Sequence, residues 1–260
     1  MKRLLGRGQG PNEFILPIHI GEAESGHSVI VLERSVSRFS FFDKDSLIAV
    51  NNPQPFFRKK INQEGLDPVV LHNRYYLATC GENNFFLLYD SLGGKCFEMV
   101  DYPPMLNDMP AEFKKQAYQG TLKVSSDGKS IVLGGLFSDY LTFLSFNGDT
   151  LKVKKSYQSY LPDVLYKGEG MPFGFGPNFC MAYFTISVTE QYVYALYDGQ
   201  KKSHKKGERA DYCMIYQFDW DGNPIQSFET HPFLLRFTVD EKNNTLWGID
   251  FDLKLYKTVL

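Results

Sequence analysis

The sequence predicts an all-β protein, a β-propeller of four-stranded antiparallel blades, and three observations predict it. First, a unit of strand, tight turn and strand recurs along most of the 260 residues. Its turns align as Tyr89-Asp90-Ser91-Leu92-Gly93, Leu144-Ser145-Phe146-Asn147-Gly148 and Phe218-Asp219-Trp220-Asp221-Gly222, with Phe42-Asp43-Lys44-Asp45-Ser46 as a weaker copy. Self-similarity of short strands at a long period marks radially repeated sheets. Second, no segment carries a long helical period; only Ala111-Glu112-Phe113-Lys114-Lys115-Gln116-Ala117 suits a helical turn or two, and it lies in a connection. Third, 22 Phe and 16 Tyr suit sheets packed face to face, where flat rings fill the space between them.

The blades read in order, each with strands a to d from hub to rim. The first begins near Phe14, with Ser28–Leu32 and Val36–Phe41 as its best strands. The second runs through Pro68–Leu71, Tyr75–Ala78, Phe85–Tyr89 and Cys96–Val100. In the third, Gly120–Val124 enters the turn Ser125–Lys129, whose Asp127-Gly128 pair tolerates the positive φ of a tight hairpin. Ser130–Gly134, Tyr140–Leu144 and Leu151–Val153 complete it. The fourth comprises Ala182–Val188, Tyr192–Leu196, Met214–Phe218 and Pro224–Phe228. The fifth comprises Leu234–Val239, Thr245–Ile249 and Lys254–Lys257, without a fourth strand. Lys2-Arg3-Leu4-Leu5 is the segment expected to supply that strand, which would cover an otherwise open sheet edge. The expectation is one domain over residues 1–260 with five readable blades, or six in a longer gene product.

Composition narrows the function. A net charge of −2, from 28 basic and 30 acidic residues, argues against nucleic-acid binding, and the one basic run, Lys201–Lys206, reads as a solvated loop tip. Cys80, Cys96, Cys180 and Cys213 show no metal spacing; buried free thiols are expected, with a Cys180–Cys213 disulfide as the alternative. No stretch has the roughly 18 apolar residues that span a bilayer. Met1–Phe14 lacks the apolar core of an export signal, so either the protein is cytoplasmic or the natural start is missing; the second is favoured.

Gly6-Arg7-Gly8-Gln9-Gly10 is not a phosphate cradle, because Pro11 and a strand follow where a dinucleotide site needs a helix, and no Lys-Ser/Thr pair is present. Gly6–Phe14 instead resembles the Gly-rich blade entry of NHL-type and TolB-like propellers. With Phe41–Leu47, it makes the chain similar to the TolB-like six-bladed family of bacterial envelope proteins. That resemblance implies a periplasmic or outer-membrane location, and membrane attachment only through a lipid anchor absent from residues 1–260. It leaves activity open.

Insertions concentrate on one face of the ring. The a–b and c–d connections read as short, whereas the b–c and d–a connections include 51–67, 102–118, 157–174 and 198–211. Long loops held on one side of a repeat scaffold mark a binding face. Near its b–c corners stand the ligand-binding candidates Glu33, Arg34, Glu82, Asn83, Asp139, Tyr140, Asp250 and Asp252. Acidic side chains around a central mouth suit a cation or basic group, and Arg34 an anion. Ca²⁺ or another divalent ion is the cofactor alternative to none.

Catalytic patterns are thin. His19, His27, His72, His204 and His231 are scattered, and no Gly-x-Ser-x-Gly elbow occurs. The expected function is therefore a non-catalytic envelope propeller that binds a protein, peptide or glycan partner. An exposed apolar patch including Phe56, Phe57, Phe137 and Phe173 is expected on the loop face. The alternative is a metal-dependent hydrolase or lactonase, since six-bladed propellers of that kind use a central Glu/Asn/Asp site, which Glu82, Asn83 and Asp250 resemble.

Overall fold

The computed structural model describes residues 6–8, 13–15, 17–22, 27–33, 38–50, 53–60, 66–71, 75–79, 84–90, 95–102, 109–148, 150–168, 174–200 and 211–260. Among the described residues, four antiparallel sheets of four strands and one of three follow one another along the chain. Blade 1 contains β3 (Pro17–Glu22), β4 (Ser28–Glu33), β5 (Arg38–Asp43) and β6 (Phe57–Lys60), preceded by the short β1 (Gly6–Arg7) and β2 (Glu13–Phe14). Blade 2 contains β7 (Leu66–Leu71), β8 (Tyr75–Thr79), β9 (Asn84–Tyr89) and β10 (Lys95–Asp101). Blade 3 contains β11 (Gly120–Val124), β12 (Ser130–Gly135), β13 (Leu141–Phe146) and β14 (Leu151–Tyr157).

A short pair, β15 (Val164–Leu165) and β16 (Gly174–Phe175), leads on to blade 4. That blade contains β17 (Tyr183–Val188), β18 (Tyr192–Tyr197), β19 (Cys213–Asp219) and β20 (Pro224–Thr230). Blade 5 contains β21 (Arg236–Asp240), β22 (Thr245–Ile249) and β23 (Leu255–Val259). The first strands β7, β11, β17 and β21 are mutual neighbours in sequence order, so the sheets are arranged around an axis.

The packing explains why the middle strands read as continuous apolar runs: their side chains alternate between two neighbouring blades. In β12, Ile131 and Leu133 join a cluster with Phe85 and Leu88 of blade 2. Val132, between them, packs with Ile186 and Val193 of blade 4. In β18, Val193 and Ala195 face blade 3, whereas Tyr194 and Leu196 face Leu234 and Leu246 of blade 5. Each wholly buried Leu or Ile contributes about 1.5–3 kcal/mol relative to exposure. The rim strands show the opposite pattern: Lys152, Val153 and Lys154 of β14 are all exposed.

Turn glycines fall where the repeat requires them. Gly128, Gly148 and Gly222 have φ of 68°, 103° and 85°. At Gly222 a Cβ would also lie 2.7 Å from the Phe143 ring, so glycine is required there for space as well as for conformation.

Blade 1 corrects the sequence reading. Phe42–Ser46 is not a turn: Asp43 caps a helix, α1 (Lys44–Ala49), its carboxylate accepting the Ser46 N–H at 2.8 Å. Leu47 of that helix is buried with Phe14, Val31 and Phe42. The expected insertion 51–67 contains the rim strand β6, leaving only 61–65 between blades 1 and 2. The long connection of blade 1 is therefore 44–56, between strands c and d, on the face read as short. The other long connections, 102–119 with helix α2 (Ala111–Ala117), 158–182 and 198–212, do lie on the b–c and d–a face.

The Cys180–Cys213 disulfide is ruled out, because both are free thiols, and Cys213 is buried at the head of β19. Cys80, Lys2–Leu5 and Lys201–Lys206 lie outside the described residues.

Candidate functional site

On the long-loop face a pocket of about 240 Å³ opens at the hub, where the chain enters blades 3, 4 and 5. Gln119, Gly120 and Thr121 line it from the entry to β11, Met181 and Phe184 from the entry to β17, and Leu235 and Arg236 from the entry to β21. Leu136, at the b–c corner of blade 3, completes the lining.

Backbone hydrogen bonds fix this rim. The Leu136 N–H donates to the Gln119 carbonyl at 2.9 Å, and the Leu136 carbonyl accepts from Ala182 N–H at 2.8 Å. Asp198 N–H donates to the Ala182 carbonyl and Gly199 N–H to the Met181 carbonyl, both at 2.9 Å. Gly120 permits the close approach of the two inner strands, since a Cβ there would stand 2.1 Å from the Gly134 carbonyl oxygen. The Phe184 ring is held edge-on by Phe233 at 5.6 Å and Phe251 at 6.1 Å. The exposed Arg236 guanidinium donates to the Leu235 carbonyl at 2.8 Å. No carboxylate among the described residues pairs with it. Among its described residues the pocket thus combines apolar side chains, two neutral polar side chains and one positive charge.

None of the described sequence candidates, Glu33, Asp139, Tyr140, Asp250 and Asp252, lines this pocket. Glu33 is 1% exposed at the end of β4. Its Oε1 accepts the Ile15 N–H at 2.6 Å and its Oε2 meets Arg38 Nη2 at 2.6 Å. This carboxylate fastens the entry segment onto blade 1. Asp139 binds the residues after β14, accepting N–H bonds from Ser159 at 2.8 Å and Tyr160 at 3.0 Å and a bond from the Ser159 hydroxyl.

Tyr140 is buried against Phe85 and Tyr118, and burial raises its pKa above the ordinary phenol value. Asp250 accepts the Asp252 and Lys254 N–H groups, each at 2.9 Å, and the Tyr256 hydroxyl at 2.8 Å. The Lys254 N–H, then that hydroxyl, holds its carboxyl below the usual range. Asp252 is exposed on the same corner. Arg34, Glu82 and Asn83 lie outside the described residues. Among the described residues no three His, Cys, Asp or Glu side chains converge as metal ligands.

Among the described residues, Phe56, Phe57 and Phe137 do not come together as the expected aromatic patch on this face. Phe137 is only 7% exposed, packed beneath Phe175 and Phe179 at 5.6 and 5.3 Å. Phe56 and Phe57 are exposed but belong to the c–d connection and rim strand of blade 1, and Phe173 lies outside the described residues. Apart from Leu136 at a b–c corner, the described residues that line the hub lie just before or at the start of a strand a. The signal for them is Arg236, a charge set between the apolar Leu234-Leu235 and Phe237 at the start of a hub strand.

A model of the TolB-like 6-blade propeller-like family matches residues 1–242. Among solved structures, a provisionally named exported protein from Bacteroides fragilis is similar at 12% identity and a TM-score of 0.58, covering 95% of this chain and 70% of its own. A member of the DUF4221 family from Bacteroides vulgatus is similar at 10% identity and a TM-score of 0.56, with 97% and 81% covered. A protein from Bacteroides uniformis, provisionally named a 6-phosphogluconolactonase, is similar at 14% identity and a TM-score of 0.50, with 93% and 66% covered. At these identities the likeness is one of fold. No curated protein sequence gives a match.

Proposed function

The chain belongs to the TolB-like 6-blade propeller-like family, and from that premise we propose that it is a non-catalytic binding protein of the bacterial envelope. It takes a protein, peptide or glycan partner at the hub mouth of its b–c and d–a face. The single observation that carries this reading is the coincidence of the hub pocket with the face bearing three of the four long connections, 102–119, 158–182 and 198–212. A hydrogen-bonded rim with long loops around a concave floor of mixed polar and apolar residues suits a ligand site on a repeat scaffold. The envelope location is supported by the family and by the exported neighbour from Bacteroides fragilis.

The hydrolase alternative has less support. Asp250, the described member of its ligand set, directs its carboxylate to hydrogen bonds within its own corner.

A photo-crosslinking amino acid tests the proposal when placed at Gln119 on the hub rim or at Lys242 on the opposite face, with the purified protein incubated in envelope extract. The proposal expects discrete adducts from position 119 and none above background from position 242. Adducts from 242 alone, or from neither position, would refute it.

A further inference from the structure

We propose that the hub pocket recognises a carboxylate borne beside an apolar group, gripped by Arg236 and backed by Phe184. This rests on the reading of the hub mouth as the binding site and names the chemistry of its ligand.

Arg236 carries the argument. A guanidinium has five N–H donors and stays charged at any physiological pH. One donation is spent on the Leu235 carbonyl, and the described residues supply no carboxylate partner for the rest. The unspent donors suit the paired oxygens of a carboxylate, the arrangement that arginine favours most. That interaction is stronger where one side of the site is walled by protein than on an open surface.

The remaining lining fits the same ligand. Leu136, Met181 and Phe184 form an apolar wall, and the contacts of Phe184 with Phe233 and Phe251 fix its ring before anything binds. Gln119 and Thr121 line the pocket with side chains that make no hydrogen bond among the described residues, so they can meet an amide or hydroxyl next to the carboxylate. Among the described residues Arg236 is the one cation that lines the pocket, and one guanidinium matches a single carboxylate charge. At about 240 Å³ the pocket is smaller than the roughly 300–1,000 Å³ typical of drug-sized ligands, which favours a chain end or a compact acid. Two sources share this chemistry: the free C-terminus of a peptide and a small organic acid.

Calorimetric titration of the full chain separates them. The probes are N-acetyl-L-phenylalanine and its primary amide, with a hexapeptide ending in phenylalanine as free acid or amide. Each is titrated into the wild type, Arg236→Lys and Arg236→Ala, with thermal melts to establish folding. Each acid should bind about 10-fold or more tightly than its amide. Arg236→Lys should narrow that preference and Arg236→Ala should abolish it. A peptide acid binding more tightly than the N-acetyl acid identifies a chain end, and equal affinities identify a small acid.

Acid and amide binding equally, neither acid binding, or a preference surviving in Arg236→Ala would overturn the proposal. If that happens while crosslinks from position 119 persist, the ligand class alone is wrong. If the crosslinks vanish as well, the hub-mouth reading falls with it.

Discussion

Replacing Glu33 with alanine should unfold the protein more readily rather than weaken its binding. Glu33 is 1% exposed, and its two oxygens are spent on the Ile15 N–H and on Arg38, each at 2.6 Å. Arg38 in turn lies 5.9 Å from the centre of the Phe14 ring, and that ring is buried with Val31, Phe42 and Leu47. Removing the carboxylate leaves a main-chain donor without its acceptor and a guanidinium without its counter-charge. Hydrogen bonds to charged groups contribute about 1.5–3 kcal/mol each. Because Arg38 is 27% exposed, water recovers part of its solvation, so the lower end applies, about 3 kcal/mol for the two. For a chain of this size that is roughly 6–12 °C in Tm. Urea unfolding followed by circular dichroism measures the change, with Asp252→Ala as the exposed control, expected within about 0.5 kcal/mol of wild type. A Glu33→Ala protein with unchanged stability would refute the reasoning and return Glu33 to the ligand-binding candidates.

Two further outcomes follow from the geometry. Gly120→Ala drives a Cβ to within 2.1 Å of the Gly134 carbonyl, so β11 must shift; a loss of about 1–3 kcal/mol is expected in the same unfolding assay, together with weaker hub binding. His231 should titrate above its ordinary value, because its Nε2 bonds the Glu229 carboxylate at 2.8 Å, and NMR titration of Glu229→Gln should bring it back down. A native pKa raised in this way gives stability that is complete below about 6.5 and is lost as pH rises through the raised native value.

The blades were legible in the sequence because their determinants are local or strictly periodic. Strands such as Ile131-Val132-Leu133 are apolar at every position because a neighbouring blade covers each face. Gly222 is read directly as a turn because both its φ and its contact with Phe143 exclude a side chain. Blade 1 was harder. Phe57-Arg58-Lys59-Lys60 lies at the rim, where one-sided burial leaves a charged pattern that does not read as a strand. Asp43 followed by Lys44-Asp45-Ser46 fits either a turn or a helix cap, and the burial of Leu47 under Phe14 favours the helix.

The site was less legible for a different reason. Asp139 and Asp250 look the same in sequence whether they face a central mouth or cap their own corner, and the choice is made by the N–H groups of Ser159, Tyr160 and Lys254. The hub residues Gln119, Phe184 and Arg236 are brought together only by the placement of three blades about one axis. No spacing along the chain encodes that convergence.

Crystallographic screening with a small-fragment set of carboxylic acids, amines and sugars tests most directly whether recognition resides at the hub mouth. The account predicts that carboxylate fragments will gather between Arg236 and Phe184, and that Arg236→Ala crystals will lose them. Fragments collecting at the corners of Asp139 and Asp250, or at the opposite end of the axis, with the hub left vacant, would contradict it.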